Sequence, residues 1–248
     1  MDTIPLKKWD IFMIDYYDHC DEEGNPTRVE VNLSLIEDAP NRDKPWLLWL
    51  FVKTAAEEND RFTAFFDDLI TTLEGKLDAV YGGSITKEGW HEFYFYASTS
   101  KKFENFTSEV MTRHGGYPYE RGISRDAKWE MYQERLYPDG FNLLAIQNRH
   151  TLQALIEEGD SLSIPREVEH YFFFQTPTAL QRFEKTMGDH GFSPKEHITD
   201  DQSDYAYGLT LAKKDNVTAE TIHETTAFLY ELVLQEHGHY QGWSTVLA

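Results

Sequence analysis

Residues 45–75 read PWLLWLFVKTAAEENDRFTAFFDDLITTLEG, and two different periodicities meet inside that stretch. After Pro45, positions 46–52 form an unbroken apolar run, of a length that suits a strand buried on both faces. Beyond it, Phe62, Phe65, Phe66, Leu69, Ile70 and Leu73 recur at i, i+3, i+4, i+7, i+8 and i+11, the signature of one helix face. Asn59 and Asp60 are candidate caps for that helix and Gly75 its candidate stop. A strand around 79–86, a turn at Lys87-Glu88-Gly89 and a strand over 90–97 then read as a hairpin. Ser100 is placed to cap a second helix with the stripe Phe103, Phe106 and Val110, ended by His114-Gly115 and followed by strand-like residues from 117 to 136. The order is β-α-β-β-α-β.

The same order returns further along. Residues 168–174 read as a strand, and Thr176-Pro177 is a cap followed by proline at the first helical position. Leu180, Phe183 and Met187 mark the buried face of that helix, which Gly191 ends. A strand over 192–198 leads into the polar turn Asp200-Asp201-Gln202-Ser203-Asp204. The returning strand alternates Tyr205, Tyr207, Leu209 and Leu211 with the small residues Ala206, Gly208, Thr210 and Ala212. A long helix from the cap Thr218 through Ile222, Leu229, Leu232 and Val233 reaches His237-Gly238, and residues 240–247 close the unit. His114-Gly115-Gly116-Tyr117 and His237-Gly238-His239-Tyr240 occupy equivalent places, which reads as a structural duplication.

Between the copies, residues 142–158 read as a helix ended by Gly159. Before the first copy, residues 10–17 and 28–36 flank the acidic turn Asp21-Glu22-Glu23-Gly24-Asn25-Pro26, a hairpin expected to extend the first sheet. The expected architecture is α+β, with two tandem β-α-β-β-α-β sandwiches on antiparallel sheets, divided into residues 1–141 and 142–248. Phe93-Tyr94-Phe95-Tyr96 is aromatic on both faces, so the second side of the first sheet also needs a cover: the hairpin, the bridging helix or the other domain.

Composition agrees with two globular domains. The chain has 248 residues, 40% hydrophobic, 27% charged and 15% aromatic. Cys20 is the sole cysteine, so no intramolecular disulfide forms and a reducing cytoplasm is the expected compartment. Lys7 and Lys8 are followed by no apolar leader segment, and no run approaches the ~20 apolar residues of a membrane span. The formal charge is −20, from 43 acidic against 23 basic residues. Such a field repels phosphate backbones, so direct nucleic-acid binding is not expected, and it hastens encounter with a basic protein; solubility alone is the plainer reading.

No constellation reads as an active site. Tyr205 and Tyr207 resemble the stacking aromatics of RNA-binding sheets, but Asp204 stands beside them where a basic residue belongs, and core packing is the better reading. His223 and His237 would lie roughly 21 Å apart along one helix, which rules out a shared metal with Glu236 and His239. Neither metal nor cofactor is expected. No nucleophile elbow or phosphate-binding glycine loop is present, and Gly82-Gly83 reads as a turn. Two candidate surfaces remain. Asp200, Asp201 and Asp204 form an acidic hairpin suited to a basic protein partner. The alternative is an enzyme or ligand-binding cleft between the domains, lined by His114, Tyr117, His239 and Tyr240.

Four patterns of the C-terminal half carry a family likeness: Leu155-Ile156-Glu157-Glu158-Gly159-Asp160, Val168-Glu169-His170, Gly191-Phe192 and Tyr240-Gln241-Gly242-Trp243. In that order, over most of 146–248, they resemble the B-type regulators of ribonuclease E activity, small acidic bacterial proteins that bind that endoribonuclease and restrain RNA cleavage. Gln241 stands where the family usually has an acid. The resemblance implies a ferredoxin-like α+β sandwich, no catalysis, and a protein partner that is ribonuclease E or another RNA-processing enzyme. Trp9, Leu73-Glu74, the aromatic strand at 90–96 and Trp129-x-x-Tyr132 resemble a bacterial domain of unknown function found fused to such regulators, which implies no activity.

Overall fold

The computed structural model describes residues 14–20, 23–54, 60–200 and 202–248. The chain divides into two units, Met1–Pro138 and Asp139–Ala248. The first contains β1 (Ile14–Cys20), β2 (Pro26–Asn32), β3 (Trp46–Lys53), α1 (Asp60–Leu77), β4 (Val80–Lys87), β5 (Trp90–Ala97), α2 (Phe103–His114) and β6 (Tyr119–Arg125). Its strands form one antiparallel sheet in the order β1-β2-β4-β5-β3-β6. The apolar run that opens the pattern is β3, an interior strand between β5 and β6, and it is unbroken because side chains leave water on both faces, Leu48, Leu50 and Val52 on one and Leu47 on the other.

One face of this sheet is closed by the two helices. Leu48, Leu50, Val52, Phe93 and Phe95 meet Phe62, Phe65, Leu69 and Leu73 of α1, and Phe103 and Val110 of α2. Each such side chain contributes roughly 1.5–3 kcal/mol by leaving water. Helix α1 runs past the expected stop at Gly75 because Leu77 is buried in the same core; Asp78, at φ 51°, takes the left-handed position instead. Asn59, the other expected cap, lies outside the described residues. At α2, Ser100 contributes its carbonyl, which accepts from Phe103 N, and its hydroxyl caps nothing.

The second face is closed by the segment after β6, which is not strand as its sequence suggests. β6 ends at Arg125 because the Asp126 carboxylate accepts from the amides of Glu130 (2.8 Å) and Met131 (3.0 Å), which starts a π-helical turn over Met131–Leu136. Trp129, Tyr132 and Leu136 on this segment are fully buried, at helical rather than strand spacing. Trp129 stacks on Tyr96 at 4.0 Å, and Tyr132 OH donates to Asn32 O. The hairpin β1–β2 does not cover that face; it continues the sheet through β4, with Val29 opposite Ile85 and Val31 opposite Gly83. Gly82 and Gly83 are therefore not a turn. They lie inside β4, where a Cβ on Gly83 would sit 2.3 Å from Glu30 O, an approach only glycine permits.

The second unit contains α3 (Gly140–Glu157), β7 (Arg166–Phe174), α4 (Pro177–Asp189), β8 (Ser193–Thr199), β9 (Tyr207–Asp215), α5 (Ala219–Gln235) and β10 (His239–Thr245). Its antiparallel sheet has the order β10-β7-β9-β8. Helix α3 starts at Gly140, two residues before the expected start, because Asp139 caps Asn142 N at 2.8 Å. Thr176 and Thr218 cap α4 and α5 in the same way. Phe172, Phe174, Leu209 and Leu211 on the sheet meet Leu180, Phe183, Met187, Leu229 and Val233 on the helices. Numbered within each unit from the strand that precedes its first crossover helix, both sheets run 2-3-1-4. The molecule is thus α+β with two antiparallel sheets. Among the described residues no helix is long and apolar enough to cross a membrane.

Candidate functional site

The acidic hairpin joins β8 to β9. Asp200 N donates to Ala206 O (2.8 Å), Ser203 N to Asp200 O (3.2 Å) and Gln202 N to the Asp200 carboxylate (3.0 Å). One carboxylate oxygen of Asp200 therefore shapes the turn. Asp204 is exposed, and among the described residues neither Asp200 nor Asp204 takes part in an ion pair. Asp201 lies outside the described residues. The turn extends further than expected: Tyr205 belongs to it, its amide held by Ser203 Oγ at 3.1 Å, and β9 begins at Tyr207. Tyr207 packs against the core.

His114 and Tyr117 lie in the first unit, His239 and Tyr240 in the second. His114 ends α2 with Nε2 2.9 Å from Asp68, and Asp68 also accepts two hydrogen bonds from Arg113. Arg113 holds the Asp68 carboxyl below the usual carboxylate range, against the opposing effect of burial, with His114 adding to the lowering. Tyr117 packs its ring against those of Phe62 and Phe65, with the Arg61 guanidinium 5.2 Å above it. His239 is exposed at the start of β10, its ring 6.0 Å from Tyr205. Tyr240, the next residue, points to the other face of the sheet and is buried, sharing a 2.8 Å hydrogen bond with His170 Nδ1. Burial drives His170 down to about 3 and raises the Tyr240 phenol well above its ordinary value, so both groups are neutral in use.

Each of the four patterns that carry the likeness sends a residue into the interior of the second unit, while Ile156, Glu157 and Glu158 of the first stay exposed. Gly159 takes φ +81° after α3, which delivers Asp160 to a buried ion pair with Arg166 at 2.7 Å. His170 meets Tyr240 and, edge-on, Phe192. Trp243 Nε1 donates to Asn148 Oδ1 (2.8 Å), while Asn148 Nδ2 donates to Thr226 (2.7 Å), a buried chain that joins β10, α3 and α5. Every polar atom in that chain is matched, the condition for a buried network to stabilise. Asn148, Thr226 and Arg166 escaped the sequence reading. Arg166 had one signal, a basic residue beginning an apolar strand; the other two had none.

Two open notches lie among the described residues. One, about 220 Å³, is lined by His190, Phe192, Lys213, Glu224, Thr225 and Phe228; the other, about 330 Å³, lies beside Leu47, Ser124, Arg125 and Met131. Among the described residues no group of three His, Cys, Asp or Glu could hold a metal ion.

Residues 145–245 match the family model described as Regulator of ribonuclease activity B, and residues 7–137 match the Family of unknown function (DUF695). Both matches fall where the motif resemblances lie. No curated protein matches the chain. Among solved structures, an unknown protein from Galdieria sulphuraria is similar at 8% identity, over 82% of this chain and 99% of that one, with a TM-score of 0.24 that says nothing of the fold.

Proposed function

Because the chain belongs to the family of unknown function DUF695 over residues 7–137 and carries a Regulator of ribonuclease activity B domain over 145–245, we propose that it is a non-catalytic, protein-binding regulator of a ribonuclease. The partner is an RNA-degrading endoribonuclease of the ribonuclease E type, met in the cytoplasm. The C-terminal unit, a ferredoxin-like sandwich in this reading, makes the contact and restrains cleavage.

The observation that carries the reading is the family match over 145–245. Two physical features support it. Most residues behind the likeness, among them Asp160, His170, Phe192, Tyr240 and Trp243, are engaged in turns and core and hold the unit's shape, whereas Ile156, Glu157 and Glu158 of the first pattern are exposed and open to a partner. The net charge of −20 and the open carboxylates of Asp200 and Asp204 favour a basic partner and resist RNA itself.

The test is co-purification of the full chain with ribonuclease E at low and at high salt, alongside cleavage of an RNA substrate with and without the chain. Retention at low salt, weakening at high salt and slower cleavage are expected. Absence of binding at both salt concentrations removes the reading.

A further inference from the structure

Away from the hairpin, the second unit presents exposed aliphatic side chains on a rigid base. The Arg166 guanidinium gathers that base: it donates to Ser161 O (3.2 Å), Ile164 O (3.4 Å), Thr245 Oγ1 (3.2 Å) and the Asp160 carboxylate (2.7 Å). The other Asp160 oxygen accepts from Ala248 N (2.8 Å), and Ser161 N donates to Ala248 O (3.1 Å). Gly159 N and Asp160 N bond back to Ile156 O and Leu155 O, so the end of α3 joins the same clamp. Leu155 and Leu162 turn inward against Leu152, Val168, Val217 and Ile222.

Four aliphatic side chains of these segments turn outward instead. Ile156 is 52% exposed, Ile164 47%, Val246 69% and Leu247 58%. These side chains stand on three segments that the same hydrogen bonds tie together, and exposed aliphatic side chains on such fixed backbone are of the kind that marks an interaction site. Its border is acidic. Glu157 and Glu158 are exposed next to Ile156, and neither enters an ion pair among the described residues. Arg166, the cation beneath the patch, is neutralised by buried Asp160. An aliphatic surface with a negative border complements a segment that is apolar on one side and basic on the other.

We propose that Ile156, Ile164, Val246 and Leu247 form the anchoring surface for a basic amphipathic segment of the partner, which in the reading above belongs to the ribonuclease. The proposal rests on that reading for the partner's identity only. The hairpin at Asp200 lies at the Phe174 end of β7 and the patch at its Arg166 end, so charge at one end guides encounter while apolar burial at the other sets residence time.

The experiment uses the full chain with Val246→Asp and Leu247→Asp combined, a second variant with Glu157→Lys and Glu158→Lys, and the control Leu234→Asp. Leu234 is 46% exposed in the last turn of α5, which leads into the His239 end of β10, away from Thr245. Because all these side chains are exposed, circular dichroism and the melting temperature are expected to match wild type. Binding is measured against purified ribonuclease E and against a synthetic amphipathic helix of leucine and lysine. Both patch variants are expected to raise Kd by about tenfold or more, with Leu234→Asp near wild type. If ribonuclease E fails to bind wild type while the peptide binds wild type and not the patch variants, the ribonuclease reading falls and the patch stands. If the patch variants bind either probe as wild type does, or wild type binds neither, the patch proposal is overturned.

Discussion

His170 carries a titratable ring into a core that leaves no room for its charge. Burial lowers it to about 3, with Lys213 adding repulsion, whereas an unfolded histidine titrates near 6.5. Since the folded value is the lower one, the unfolded chain takes up the proton first as pH falls. The histidine's contribution is therefore whole above about 6.5 and is lost at roughly 1.4 kcal/mol per pH unit down to about 3. Urea unfolding is expected to show a loss of about 2 kcal/mol between pH 6.5 and 5, and His170→Leu to abolish most of that slope. Equal slopes in the two proteins would refute the assignment. The paired landmarks show a second lesson at this scale. At His237 the left-handed turn is made by a histidine, φ 52°, and Gly238 is required because a Cβ there would lie 2.6 Å from Phe174 and Val233. At the first landmark Gly116 supplies the positive φ, so similar letters answer different constraints.

The segment from Asp126 to Leu136 is the element on which the first unit depends most. The apolar pattern of β5 shows that both its faces leave water, and Trp129 with the π-helical turn covers the second one. Trp129 also donates Nε1–H to Lys44 O at 2.9 Å, which ties this cover to the loop before β3. Trp129→Ala leaves a void beside Tyr96 and an unmet carbonyl, and is expected to cost about 3–5 kcal/mol. Chemical denaturation followed by circular dichroism measures it, and a loss under about 1 kcal/mol would show that the segment is an ornament on an otherwise closed sheet. The spacing of Trp129, Tyr132 and Leu136 was legible as helical; the many polar residues between them, and a strand just before, drew the reading toward extended chain.

For the whole molecule the dominant quantity is the charge of −20. A field of that size acts over about one Debye length, ~8 Å at physiological salt, so it alters encounter more than it alters a formed interface. The association rate with the proposed ribonuclease partner is therefore expected to fall about tenfold or more between ~50 mM and ~500 mM salt, with a dissociation rate that changes far less. Stopped-flow or surface-binding kinetics distinguishes the two. A dissociation rate carrying most of the salt dependence would place the charges inside the contact instead of around it.

The sequence by itself determined most of the elements, though not the π-helical turn over Met131–Leu136, together with their order, the β-α-β-β-α-β pattern of each half and the likeness of the C-terminal half to ribonuclease regulators. Periodicity, caps and turn residues are local physics, so Phe62 to Leu73 and Thr176-Pro177 are legible without a partner. Only the tertiary structure decided what each buried face meets. Asp160 and Arg166, His170 and Tyr240, and the chain Asn148–Thr226–Trp243 depend on pairs brought together by chain crossing, as does the outward turn of Ile156, Ile164, Val246 and Leu247. An amphipathic pattern reports that a side chain leaves water; it carries no information about which distant residue receives it.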